Sequence, residues 1–466
     1  MRLIKTNTPK IILVLCCLLM VFACKKDESP VDDTTDDEAP LAGALDDVAF
    51  VKTFGGSDED EALSIVESDD GNYMILGSTK SIDGDIEGKA ADDVDFWLLK
   101  ISPSGDKIWS KTYGGSSDDR ATKISKTSDG GYILSGYSRS NDGDVSGNEG
   151  FHDMWIAKLD SQGNIQWDKN FGFSGSDQAF GAIQTTDGGY FLTGFLDVTA
   201  SGGAGDDAQN DTGNNDNARG NNHGVGEFWG IKLDASGVKQ WRRYFGGSKN
   251  DRSYGALQTN DGGFLMIGAS ESSDFDIIDD KGSYDLWAVR TSPSGNLLWT
   301  RSFGGSEIDI GYAVTKANDG NYIIVGDTRS NDKDVSNPLG NADSWAVKFN
   351  DDGDIIWEKT FGGTEFESAR NIIPLASGNY LITGSTRSPN GDVTENKGQN
   401  DIWAIIIDPA GVILEQKTIG GSSLDFGDAA IETSDNTIVI IGNTESNDLD
   451  ILENRGVKDF VVIKFN

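Results

Sequence analysis

Short runs of aromatic and β-branched residues, separated by polar punctuation rich in Gly, Asp and Asn, recur along this chain from Val48 to Asn466. Tyr132-Ile133-Leu134-Ser135-Gly136 and Tyr322-Ile323-Ile324-Val325-Gly326 are typical. Their length and composition predict strands. Each follows a tight turn such as Asp129-Gly130-Gly131, which supplies the positive φ of a two-residue hairpin, so it pairs antiparallel with the apolar run before it (Ala121 to Ser125). A longer polar loop, Ser140 to Val145, leads into a third strand, Asp153 to Leu159. The turn Ser161-Gln162-Gly163-Asn164 then reverses the chain into a fourth, Ile165 to Phe171.

This four-strand unit is written seven times. Its copies open at Phe54, Tyr113, Phe171, Phe245, Phe303, Phe361 and Ile419, spaced 59, 58, 74, 58, 58 and 58 residues apart, so one copy carries an insertion, placed at 197–226. Seven strand-rich units of this size predict an all-β fold, a seven-bladed β-propeller of four-stranded antiparallel blades. Val48 to Phe54 matches a fourth strand, while the chain stops at the end of a third. The N-terminal strand is therefore expected to complete the last blade and close the ring over residues 46–466, removing the exposed edges of an open array. A solenoid would need polar caps at its ends, and neither end carries one.

The tryptophans recur with the scaffold, at Trp97, Trp155, Trp229, Trp287, Trp345 and Trp403 on the third strand and at Trp109, Trp167, Trp241, Trp299 and Trp357 on the fourth. A period shared with the fold reads as blade-to-blade packing rather than as a sugar platform.

Charge narrows the function. With 39 basic and 76 acidic residues the chain is at −37, and removal of the first 23 residues, which hold three basic groups and no acidic ones, takes it to −40. Such a field repels nucleic acid, so a nucleic-acid partner is not expected.

At the N-terminus, Arg2, Lys5 and Lys10 precede an apolar run from Ile11 to Ala23, which suits a signal peptide (1–23) better than a membrane span. Val21-Phe22-Ala23-Cys24 resembles the lipobox of bacterial lipoproteins, which implies acylation of Cys24. Cys16 and Cys17 leave with the signal, so Cys24 would be the only cysteine of the mature chain. Cys24-Lys25-Lys26-Asp27-Glu28 resembles the export signal of Bacteroidota lipoproteins and implies an outer-membrane, surface-exposed location. Residues 24–45, with Asp32-Asp33 and Asp36-Asp37-Glu38, read as a flexible acidic tether.

The repeat itself resembles bacterial propeller repeats of the SBBP type, through Tyr113-Gly114-Gly115-Ser116, Asp119, Ala121, Asp129 to Tyr132 and Gly136 to Ser140. The resemblance implies the fold and no common activity.

Two acidic elements are candidate sites, both on the face that carries the longer connections. A carboxylate precedes each inner strand: Asp60, Asp119, Asp177, Asp251, Asp309, Glu367 and Asp425. These would form a ring around one mouth of the channel, unless each caps its own turn by accepting backbone N–H groups. The second element is a set of Asp or Asn at relative positions 1, 3 and 12: Asp142, Asp144 and Asp153; Asp274, Asp276 and Asp285; Asp332, Asp334 and Asp343; Asn390, Asp392 and Asp401; Asp448, Asp450 and Asp459. The spacing is that of a Ca²⁺ loop, without its flanking helices or its terminal Glu. Local Asx-turns would give the same recurrence.

Enzyme chemistry finds little here. His152 and His223 are the only histidines, neither in a metal-ligand spacing, and the GGS turns lack the Lys of a phosphate-binding loop. Arg120 and Arg252, which break the repeat, follow ring carboxylates and are expected to pair with them. The reading is a monomeric, lipid-anchored, non-catalytic module binding a glycan or protein ligand, with Ca²⁺ as the one candidate cofactor. Its competitors are a glycan-active enzyme using paired carboxylates and a purely structural surface protein.

Overall fold

The computed structural model describes residues 43–207 and 223–466; the signal peptide, Cys24 and nearly all of the tether lie outside the described residues. Among the described residues twenty-eight strands form seven four-stranded antiparallel sheets, six of them blades built from four consecutive strands, as the repeat predicted. In the seventh, β26 (Asp425–Glu432), β27 (Ile438–Thr444) and β28 (Asp459–Phe465) are completed by β1 (Val48–Phe54), which pairs with β28 from Val48↔Phe465 to Phe54↔Phe460. Closure is therefore by the N-terminal strand. The hairpin turn between the first two strands of a blade places Gly130 at φ 79°, and in the seventh blade Asn436 takes the same role at φ 62°.

The core is divided among the junctions between blades. Each third-strand Trp is buried against the neighbouring blade: Trp97 stacks on Phe460 at 4.3 Å, Trp155 on Phe96 at 4.6 Å and Trp287 on Phe228 at 4.6 Å. Three fourth-strand tryptophans donate their indole N–H to the next blade, Trp241 to the Pro293 carbonyl (3.0 Å), Trp299 to that of Asp351 (2.9 Å) and Trp357 to that of Pro409 (3.2 Å).

One backbone bond also crosses every junction. The amide of each inner-strand carboxylate donates to the carbonyl just before the third strand of the preceding blade, as in Asp119 to Val94 (2.6 Å) and Asp425 to Asn400 (2.9 Å). Where the last blade meets the first, Asp60 donates to Lys458 in the same way (2.8 Å).

Every inner strand carries a β-bulge at the same place. In β2 (Asp60–Glu67), Ala62 pairs with Gly77 and Ser64 with Leu76, leaving Leu63 extra to the ladder. The equivalent extra residues are Thr122, Phe180, Tyr254, Tyr312, Arg370 and Asp428. A bulge turns its additional side chain out of the regular alternation, and here all seven point to the axis. The glycine opposite is a consequence: a Cβ at Gly77, Gly136, Gly326 or Gly384 would run into the carbonyl of Glu61, Arg120, Ile310 or Ser368 respectively.

The described ends of the 197–226 insertion are packed: the first on the third blade, the second, through Gly224 N to the Gly247 carbonyl (3.0 Å) and His223 on Phe275, against the fourth blade as well. A single helical turn, Val198–Ser201, is capped by Asp197 and buries Val198, and the Gly205 carbonyl accepts from the Trp229 indole (2.9 Å). Residues 208–222 lie outside the described residues.

Candidate functional site

The seven carboxylates do not ring the channel. Asp60, Asp119, Asp177, Asp251, Asp309 and Asp425 are fully buried and Glu367 nearly so, and none of the seven lines the axis. Each caps the turn before it, accepting from the amide four residues earlier at 2.7–2.8 Å. Most also accept from hydroxyls at the end of the second strand; Asp119 takes bonds from Ser138 and Ser140, and Asp60 from Thr79 and Ser81. An inward-facing position near the axis suggested an open ring, but the demand of buried backbone amides for acceptors claimed the carboxylates.

The candidate Ca²⁺ ligands part company in the same way. Asp142 accepts from Ser116 N (2.7 Å), Asp144 from Gly114 N (3.3 Å) and Asp153 from Glu149 N (2.6 Å), three separate backbone sites. Asp274, Asp332, Asn390 and Asp448 repeat the first bond, and Asp276, Asp334, Asp392 and Asp450 the second. Asp285, Asp343, Asp401 and Asp459 repeat the third. The loop folds back on the GGS turn of its own blade instead of wrapping an ion. Among the described residues no group of three or more His, Cys, Asp or Glu side chains is arranged to hold a metal. These residues do not fit the calcium loop their spacing suggested.

What the two acidic elements build is a seam. The third-strand carboxylate of one blade and the inner-strand carboxylate of the next both approach the first glycine of the GGS turn: Asp95 and Asp119 at Gly114, Asp401 and Asp425 at Gly420, Asp459 and Asp60 at Gly55. Burial pushes the third-strand group up, to about 6 for Asp153, Asp343, Asp401 and Asp459 and about 7 for Asp95 and Asp285. In the blade that carries the insertion the third-strand group is Glu227, fully buried, with His223 Nδ1 at 3.3 Å from its carboxylate.

The channel is lined instead by the seven bulge residues, and these break the repeat. Phe180, Tyr254 and Tyr312, from three consecutive blades, make an aromatic arc: Phe180 meets Tyr254 edge to face at 5.2 Å, and Tyr254 lies 5.5 Å from Tyr312. Arg370, in the next blade, lies over the Tyr312 ring at 3.9 Å. Asp428 follows, accepting from Asn443 Nδ2 (2.6 Å). Burial pushes its carboxyl up to about 7 against the pull of Arg370. At the other end of the arc, in the second blade, stand Thr122, Arg120 and Lys123, and burial lowers the Lys123 ammonium. Lys123 and Asp428 are both half-buried on the channel wall.

Around this mouth the same face carries more guanidinium groups, several on aromatic rings: Arg139 over Phe151 (4.4 Å), Arg252 over Phe195 (4.9 Å), and Arg329 and Arg387 each 6.0 Å from Phe366. None of Arg120, Arg139, Arg252, Arg329, Arg370 and Arg387 lies within 4 Å of a carboxylate among the described residues. The expected pairing of Arg120 and Arg252 with ring carboxylates therefore fails, because those carboxylates are turned into the seam. On the opposite face Lys158 holds Asp129, Lys232 holds Asp187 and Arg290 holds Asp261, each at 2.8–2.9 Å. The candidate site is thus an arginine and aromatic collar around a channel, with cavities of about 460 Å³ along the axis and 370 Å³ at the mouth. A sequence signal for it existed: the residue three after each ring carboxylate changes chemistry from blade to blade.

No protein-family model matches the chain, and no curated protein is detectably similar to it in sequence. Solved structures of similar architecture include an inactive virginiamycin B lyase from Staphylococcus aureus with quinupristin, at 12% identity over 89% of this chain and 99% of that one, with a TM-score of 0.45. Others are the WD40 domain of Neurospora crassa Pan2 (7% identity, 89% and 95% covered, TM-score 0.45) and a Penicillium chrysogenum α-L-arabinanase with arabinobiose (10%, 88% and 98%, TM-score 0.37). Likenesses this distant carry no activity over to this chain.

Proposed function

We propose that this protein is a non-catalytic binding module held at the bacterial cell surface by a lipid on Cys24, and that its ligand site is the collar at the channel mouth. One observation carries the reading: in a chain of net charge −37, Arg120, Arg139, Arg252, Arg329 and Arg387 gather at one mouth with no carboxylate within 4 Å among the described residues, several of them set on aromatic rings. Guanidinium groups so placed leave their donors open to an acceptor from outside. The acidic body repels polyanions at long range while the collar attracts acidic groups at short range, which favours a discrete acidic ligand over a nucleic acid. Arg and aromatic groups at the centre of a patch are the residue types that dominate recognition energies.

A glycan-array and pulldown screen with residues 46–466, run beside the double variant Arg329→Gln, Arg387→Gln, tests this. Acidic ligands should be retained by the parent and lost or weakened at least about tenfold in the variant, without release of product. Ligands that are neutral, or that bind the variant unchanged, would place the site elsewhere.

A further inference from the structure

The channel below the collar has a polarity of its own. The aromatic arc Phe180, Tyr254, Tyr312 spans three consecutive blades and is bracketed by cations, Arg120 and Lys123 before it and Arg370 after it. The cation after the arc is already engaged: Arg370 is stacked on Tyr312 and attracted by Asp327 and Asp428. Glu61, in the adjoining first blade and on the same stretch of the mouth as Arg120, is engaged by Lys458 (2.7 Å). Lys123 and Arg120 have no carboxylate within 4 Å among the described residues, and Lys123, enclosed by the inner strands, has been stripped of part of its hydration. An enclosed ammonium without a counter-ion is costly, and a ligand that supplies one recovers that cost.

From this we infer that the channel accepts a hexuronate residue at the end of a glycan, its carboxylate against Lys123 and Arg120 and one face of its ring against the aromatic arc. The inference rests on the collar being a ligand site and adds the class of ligand and its pose. Three features select it. The cavity of about 460 Å³ lies within the roughly 300–1,000 Å³ of small-molecule sites, which suits a chain end rather than a folded partner. Phe180 and Tyr254 offer rings to the apolar face of a sugar, beside hydrogen-bonding groups for its hydroxyls on Thr122, Ser64 and Asn371. The unmatched charge stands in the blade next to the arc and not within it.

Isothermal titration of residues 46–466 with glucuronic acid tests this, with glucose, acetate and a tripeptide bearing a free C-terminal carboxylate as comparison ligands. Saturable binding of glucuronic acid, at least about tenfold tighter than glucose or acetate, is expected. Lys123→Met keeps the apolar stem and removes the charge. It should reduce glucuronate affinity about tenfold or more while leaving the melting temperature at or above that of the parent, since it removes an unpaired buried ammonium. Equal binding of glucose or acetate, tripeptide binding as tight as that of the uronate, or indifference to Lys123→Met would each overturn the inference. Acidic ligands retained on the array without glucuronate binding would sink this inference alone; absence of any acidic ligand would sink the collar reading as well.

Discussion

Substituting Gly384 by Ala tests the link between scaffold and site, because this glycine faces the bulge that delivers Arg370. Ala369 pairs with Gly384 and Asn371 with Thr383, and Arg370 is the residue left over. A Cβ on Gly384 would fall on the Ser368 carbonyl oxygen and on Ala369 Cα, both backbone atoms, so no side-chain rotation relieves it. Overpacking of this kind costs about 1–3 kcal/mol, and a clash with backbone belongs at the upper end, about 3 kcal/mol. In a domain of this size that corresponds to a fall in melting temperature of roughly 3 °C. The cheapest relief is to flatten the bulge, which would swing Arg370 from the axis back into the regular alternation of the strand. Gly384→Ala should therefore lose both thermal stability, by scanning calorimetry, and acidic-ligand binding, by titration. Gly147→Ala is the control, since a Cβ there meets nothing within 4 Å. A Gly384→Ala protein that melts with the parent would refute the claim that the bulge demands this glycine.

Three further outcomes are expected. Deleting residues 46–54 should lower the melting temperature of the whole ring, since the strand Val48–Phe54 completes the last blade; unchanged unfolding would show that closure does not depend on it. The third-strand aspartates titrate near 6 to 7 in the fold against an ordinary value near 3.8, so their contribution is complete below that value and is lost as pH rises through 6 to 7. Melting temperature at fixed ionic strength should thus fall from pH 5 to pH 8, and Asp153→Asn should reduce the slope by about one proton's worth, roughly 1.4 kcal/mol per pH unit at most; a slope unaltered by Asp153→Asn would show that the seam does not titrate. Cys24→Ser in the full chain should move the protein from the membrane to the soluble fraction, and retention of the variant after a carbonate wash would end the lipoprotein reading.

The blades, their turns and the closure of the ring were legible in the sequence because they follow from period, hairpin chemistry and the match of Val48–Phe54 to a fourth strand. The site was not, and the reasons are local. A carboxylate repeated seven times beside the axis looks like a lining, yet Asp119 and its equivalents were claimed by the amides of the GGS turn. The 1, 3, 12 spacing of Asp142, Asp144 and Asp153 matched a calcium loop, but spacing does not encode the path of the loop, which here lies along a neighbouring turn. The bulge is hard to read because a single extra residue shifts the strand's alternation midway, leaving Phe180, Tyr254 and Arg370 out of step with the residues around them. The glycine opposite them, in every blade, was the trace of it.

The path of β1 also decides how the molecule is displayed. An outer strand runs from the face of the tight hairpins to the face of the long connections, and β1 begins at Val48, beside Phe465, on the first of these. Residues 43–47, which lead into it, therefore lie at the face opposite the collar. A support gripping the chain at that end, whether a lipid or an engineered tag, leaves the channel mouth unobstructed, so immobilisation and ligand capture do not compete for surface.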